Sequence, residues 1–183
     1  MRSYVGRGAG AHIENKLLSA QQYVLVCSPW ISPFYAQKLV DLAKRGVVVK
    51  LITSNSDVRE HQEALKIIKN ALKPERDWLG RVKKDWQPPS IDVKIIDERF
   101  VHAKIYAIDG NYAVVGSANL TEHGMWKNVE HLIIFDDETS VEQIENDFAL
   151  LWQTYAGKEI IEELTSKIPK ILRPFEKLLK FKR

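Results

Sequence analysis

His102-Ala103-Lys104-Ile105-Tyr106-Ala107-Ile108-Asp109-Gly110, followed by Tyr112-Ala113-Val114-Val115-Gly116-Ser117-Ala118-Asn119, is a pair of short apolar runs joined by Asp-Gly. Asp-Gly between such runs is a strong hairpin signal, so residues 103–108 and 112–115 are expected to pair as antiparallel strands. Residues two apart on a strand share a face. His102 and Lys104 should therefore project together, with Val101, Ala103 and Ile105 turned into the fold. The return strand should carry Ser117 and Asn119 back to the level of His102, and Gly116 leaves that space uncrowded.

Outward from this hairpin the chain alternates element types. Residues 12–22, 33–44, 57–72 and 139–155 have apolar residues at helical spacing, and residues 23–27, 47–52, 91–96 and 129–135 read as strands. Strand, helix, strand with short links is the pattern of a parallel βαβ unit. Combined with the antiparallel hairpin it predicts an α/β sandwich with a mixed sheet. Met1 to Gly10 reads as a flexible lead-in, with a weaker reading of Gly6–Gly10 as an anion site. Residues 73–90 break the pattern with Pro74, Pro88 and Pro89 and form an expected inserted loop. The single domain is placed at residues 1–156. Residues 157–183 form a basic amphipathic helical extension, with eight Lys or Arg against four Glu from Lys158 onward.

Composition narrows the class. With 45 % apolar residues the chain can build a core, and a net charge of +3 permits a polyanionic partner without requiring one. The lone Cys27 rules out an internal disulfide and a cysteine-based zinc cluster; lying in an apolar run, it reads as a buried, inert thiol. There is no signal-peptide core and no apolar run long enough to span a bilayer, so a soluble, cytoplasmic protein is the expectation.

The chemistry available at the hairpin end is specific. Lys104 offers positive charge, and Ser117 and Asn119 offer neutral donors, to the oxygens of a phosphodiester. A neutral His102 can attack phosphorus and form a phosphohistidine. A second group must then protonate the leaving oxygen and later activate water, and none of His12, His61, His123 or His131 has the His-x-Lys spacing. No metal or other cofactor is expected, because lysine is no ligand for a divalent ion.

The spacing His102-x-Lys104-x4-Asp109-x6-Gly116-Ser117-x-Asn119, with Asn128-Val129-Glu130 downstream, resembles the HKD signature of the phospholipase D superfamily. Ser28-Pro29-Trp30 and residues 44–50 resemble that superfamily's first βαβ unit, so the likeness covers most of residues 10–155. It implies a phospholipase D-like α-β-α sandwich and a metal-independent phosphodiesterase. It also implies roles: His102 as nucleophile, Lys104 and Asn119 as phosphate ligands, Asp109 as a structural anchor of the turn, and Glu130 as a carboxylate that orients a histidine, in its own subunit or the partner's. One motif per chain is similar to the small endonucleases that build one active site across a homodimer.

A nuclease acting on DNA or RNA is the first reading. A lipid phosphodiesterase acting on phospholipid at a membrane is the alternative, and a nucleic-acid-binding module with little turnover is the third. Arg76, Trp78, Arg81, Lys83, Lys84 and Trp86 in the insert interleave basic and aromatic residues, as single-strand binders do. An apolar flap packed on the domain explains the same pattern equally well. The 157–183 extension fits a membrane or nucleic-acid contact, and equally a helix packed on the dimer.

Overall fold

The computed structural model describes residues 1–160. Eight strands form one mixed sheet: β1 (Arg2–Gly6), β2 (Tyr23–Cys27), β3 (Val48–Ser54), β4 (Ile91–Ile96), β5 (Ile105–Ile108), β6 (Tyr112–Gly116), β7 (Glu130–Phe135) and β8 (Gly157–Glu159). Their order across the sheet is β1-β7-β6-β5-β2-β3-β4-β8. The helices are α1 (Gly10–Leu18), α2 (Pro33–Lys44), α3 (Arg59–Ala71) and α4 (Glu138–Thr154).

The period-two alternation of the strands sorts the layers. Val24, Val26, Val49, Leu51, Tyr106 and Val114 pack with α1, α2 and α3 in the larger core. Cys27, Ile52, Ile96, Ile105 and Phe148 form a second cluster beneath α4, with Ala107, Ala113 and Val141 beside it. Three helices on one face and one on the other give the expected α-β-α sandwich. The β2-α2-β3-α3-β4 stretch is parallel, while β5, β6, β7 and β1 run antiparallel in succession. Among the described residues no helix is long and apolar enough to cross a membrane.

The β5–β6 turn works as its sequence predicts. Asp109 and Gly110 both have positive φ, 51° and 68°, the pair of left-handed conformations that a tight primed turn requires. The Asp109 carboxylate accepts the backbone N–H groups of Gln21, Gln22 and Tyr23 at 2.8, 2.8 and 2.9 Å, tying the hairpin to the start of β2. Gly116 has a different role from the one expected. A Cβ there would lie 2.2 Å from the His131 carbonyl oxygen, so the glycine admits the backbone of β7 rather than sparing the site side chains.

Three expectations about boundaries change. Residues 2–6 are an edge strand, not a lead-in: β1 pairs antiparallel with β7 from Arg2↔Ile134 to Gly6↔Glu130. Its side chains are mostly exposed, so backbone pairing forms it and no apolar pattern announces it. His102 and Lys104 precede the strand, which begins at Ile105. Residues 157–159 join the sheet beside β4, and residues 161–183 of the C-terminal extension lie outside the described residues.

Asp109 also makes stability depend on pH. Burial raises its carboxyl pKa, but the three backbone donors outweigh burial and hold it below the ordinary 3.8. A depressed folded pKa adds stability above the unfolded value, and that stability is lost as pH falls through the folded one. Asp109→Ala should cost about 2–3 kcal/mol at pH 7, the usual loss when a charged acceptor of several bonds is removed. Thermal melts of both proteins from pH 7 down through pH 3 should show the gap between them closing at the acid end.

Candidate active site

The motif residues gather where β2 and β3 end and β5 begins. Ser54 at the end of β3 holds the segment leading to the motif: its hydroxyl donates to the Val101 carbonyl at 3.0 Å and accepts the Val101 N–H at 3.1 Å. Val101, Ala103 and Ile105 pack into the cluster beneath α4, so alternate residues point to the other side as expected. His102 is exposed, whereas Lys104 is only 4 % exposed. The ammonium donates to the His102 carbonyl at 2.8 Å and meets His102 Nε2 at 2.9 Å. An ammonium has no acceptor, so Nε2 is the accepting nitrogen and a neutral imidazole carries its proton on Nδ1.

Burial pushes the Lys104 ammonium below its ordinary pKa, and the charge of Glu130 opposes that shift. Glu130 is 6 % exposed. It accepts the Ser117 hydroxyl and, at 3.1 Å, the Asn128 amide. Ser117 Oγ in turn accepts the His131 N–H at 3.0 Å. Its hydroxyl proton therefore goes to Glu130, not outward. Cys27, beneath the site, has its thiol pushed up to about 12 by burial and stays protonated.

Asn119 is positioned by its backbone. Tyr106 donates to the Ala118 carbonyl at 2.8 Å, and the Leu120 N–H donates to Ser28 Oγ at 3.0 Å. Gly124 lies against Asn119 in a short π-helical turn, His123–Lys127. A Cβ on Gly124 would stand 2.4 Å from the Asn119 carbonyl oxygen and 2.7 Å from its nitrogen.

Two residues at the site were not singled out from sequence. The Trp30 and Phe100 rings lie 5.4 Å apart, and both approach the His102 ring, at 6.4 and 5.8 Å. Trp30 stood in the quoted Ser-Pro-Trp stretch, but nothing local told of its nearness to a residue 72 positions on.

The insert is not brought to this site. It lies between the end of α3 and the start of β4, the opposite end of the sheet, about 20 Å away by the length of a six-residue strand. Its charges are largely matched internally. Arg81 pairs with Asp77 at 2.9 Å and Lys83 with Glu75 at 2.8 Å, and Arg76 donates to the Gly80 carbonyl at 2.6 Å. Trp86 lines a hollow with Lys44, Ala71 and Pro89, whereas Trp78 is exposed, and Lys84 is exposed too. Of the other histidines, His12 lies beside the Tyr4 ring, His131 near Ser3 Oγ, His61 is buried between the Ile31 N–H and the Ser54 carbonyl, and His123 is exposed beside Lys127. Among the described residues no cluster of His, Cys, Asp and Glu is placed to hold a metal.

This fold and motif are those of the phospholipase D-like class of proteins. Residues 13–152 match the family described as "Cardiolipin synthase, PLD-like domain", and the chain belongs to it. It is 27 % identical over 141 residues to a mitochondrial cardiolipin hydrolase of Xenopus laevis, covering 76 % of this chain and 59 % of that protein. The chain thus spans about three fifths of that relative's length. In fold it is similar to the phospholipase D family member Nuc from Salmonella typhimurium, with a TM-score of 0.66, 20 % identity, and 86 % and 97 % of the two chains covered. NucT from Helicobacter pylori gives 0.62, 17 %, and 86 % and 98 %.

Gly124→Ala should displace Asn119 without reaching the core. The expected result is a fall in kcat of tenfold or more on a phosphodiester substrate, with a stability loss of about 1–3 kcal/mol, typical of overpacking. Steady-state kinetics alongside a thermal melt separate the two effects.

Proposed function

We propose that this protein is a nuclease that cleaves DNA or RNA without a metal, through a phosphohistidine on His102, in an active site shared by two chains. The observation that carries the chemistry is the 2.9 Å contact between Lys104 Nζ and His102 Nε2: the nucleophilic nitrogen and the phosphate-binding cation lie side by side. Lys104 offsets the charge of the phosphate oxygens and Asn119 donates a hydrogen bond to them, His102 Nε2 attacks phosphorus, and the P–O bond to the leaving strand breaks. Water then cleaves the P–N bond and regenerates His102.

The leaving oxygen needs a proton at the face opposite the attack. Within one chain His123 is the imidazole nearest this role, since it lines the same cleft as Asn119, but it is exposed and its Nε2 lies 3.5 Å from Lys127 Nζ. A two-fold axis beside His102 supplies a second His102 instead, roughly in line. Phe100 and Val129, exposed by 54 % and 67 %, flank the motif in sequence and supply apolar surface for an isologous contact. Across it Glu130, already held by Ser117 and Asn128, is available to the partner chain's histidine.

The likeness to a cardiolipin hydrolase favours a second reading, hydrolysis of a phospholipid at a membrane. Single-stranded oligonucleotide and cardiolipin vesicles, tested side by side, distinguish the two; turnover of the vesicles alone would overturn the nuclease reading.

His102→Asn should abolish turnover, and mixed dimers test the shared site. A heterodimer of wild-type and His102→Asn chains should lose nearly all steady-state activity, because the remaining histidine lacks its partner. Independent sites, including one using His123, would leave about half, by counting sites on a closed two-fold.

A further inference from the structure

Beside Asn119 the surface opens into a cleft of about 860 Å³, lined among others by Trp30, Ser32, His61, His123 and Lys127, within the size range of small-molecule pockets. Resting on the nuclease reading, we infer that this cleft is a base-binding subsite: it takes an unpaired nucleobase attached to the scissile phosphate, stacked on Trp30.

The aromatic wall is fixed before any substrate arrives. Trp30 Nε1 donates to Ser56 Oγ at 3.2 Å, and the Phe100 ring packs against the indole at 5.4 Å. The indole stands 6.4 Å from the His102 ring, so a base stacked there is one sugar removed from a phosphate at the nucleophile. Stacking on an aromatic side chain accepts any base.

The floor supplies polar contacts that lack a partner. Ser32 Oγ, on a residue 2 % exposed, and Asn119 Oδ1 are both buried without a hydrogen bond. The Ser32 N–H donates to the Leu120 carbonyl at 3.0 Å, which sets the two residues side by side. Buried polar atoms are ordinarily paired, and the edge of a base presents the donors and acceptors that would pair these. An acyl chain would leave both unsatisfied. His61 adds only a wall, since its two ring nitrogens already have backbone partners.

The charges explain why the base, and not the next phosphate, enters. Glu60, Glu63 and Glu122 stand on the walls with Lys127, and among the described residues only Glu63 is paired with a neighbour, Arg59 at 2.9 Å. A second phosphate would meet net negative charge. The uncharged part of the nucleotide does not.

The test measures kcat and KM of wild type, Trp30→Ala and Trp30→Phe on a dinucleotide and on its counterpart lacking the base on one side or the other. Trp30→Ala should raise KM for the dinucleotide tenfold or more, with kcat changed less, and Trp30→Phe should restore most of it. Removing the base that stacks should raise the wild-type KM by a similar factor, and the two losses should not add, since each removes the same stack. An unchanged KM in Trp30→Ala, or losses that add in full, would overturn the subsite while leaving the nuclease reading intact. Phosphatidylcholine vesicles form the control: a Trp30→Ala defect confined to them would assign the cleft to a cationic headgroup instead. Failure of wild type to cleave any oligonucleotide would remove the nuclease reading itself.

Discussion

An ammonium group lies almost out of reach of water at the end of the sheet, and the surrounding structure answers its cost. Burying a charge costs several kcal/mol unless it is hydrogen-bonded and paired. Lys104 meets both demands locally: the His102 carbonyl and imidazole accept two of its hydrogen bonds, and the charge of Glu130 opposes the effect of burial. The same two bonds hold the Lys104 ammonium back against residue 102, while the Lys104 carbonyl still accepts the Gly116 N–H at 3.3 Å. The strand starts at Ile105, and His102, three residues before it, is exposed while Lys104 is not. Glu130 is in turn fixed by Ser117 and Asn128, so the network runs through the ends of β5, β6 and β7.

The topology holds that network in place. The β5–β6 hairpin lies between the parallel β2-β3-β4 unit and the antiparallel β7-β1 pair, so the motif is held from both halves of the sheet. Ser54 on the parallel side grips Val101, and Ser28 at the end of β2 grips Leu120. On the antiparallel side the backbone of β7 comes so close to Gly116 that no side chain fits. At the far end of the hairpin the Asp109 carboxylate fastens the turn to β2. The motif aspartate therefore acts on the site by fixing the register of the strand that leads to it.

Much of this was legible because the signals are local. Asp-Gly between apolar runs specified the hairpin, Pro33 and Lys44 marked the ends of α2 to the residue, and the His-x-Lys and Ser-x-Asn spacings named side chains that lie at the ends of β5 and β6. What escaped depends on distant partners. β1 exists because β7 offers an unpaired edge, and its own residues are mostly exposed. The role of Gly116 depends on the carbonyl of His131, and that of Ser117 on Glu130 thirteen residues later. The insert misled for a related reason. Its basic and aromatic residues do interleave, but Asp77 and Glu75 neutralise two of the cations, and α3 carries the whole segment to the wrong end of the sheet. Composition reports what a segment could bind and is silent on where the fold puts it.

The contact between Lys104 and His102 also gives the resting site a logic. With the ammonium on Nε2, the lone pair that the proposed attack would use is occupied in the empty site. A phosphodiester competes for that ammonium far better than an imidazole, because an anionic acceptor makes the stronger hydrogen bond. In the proposed reaction the substrate thus draws Lys104 onto its own oxygens and, by doing so, frees Nε2 at the moment phosphorus comes within reach. The direction of the Lys104 shift fits this exchange. Burial weakens the hold of the empty site on the lysine's proton, and an adjacent phosphate anion strengthens it, so substrate binding itself favours the charged form that the phosphate requires.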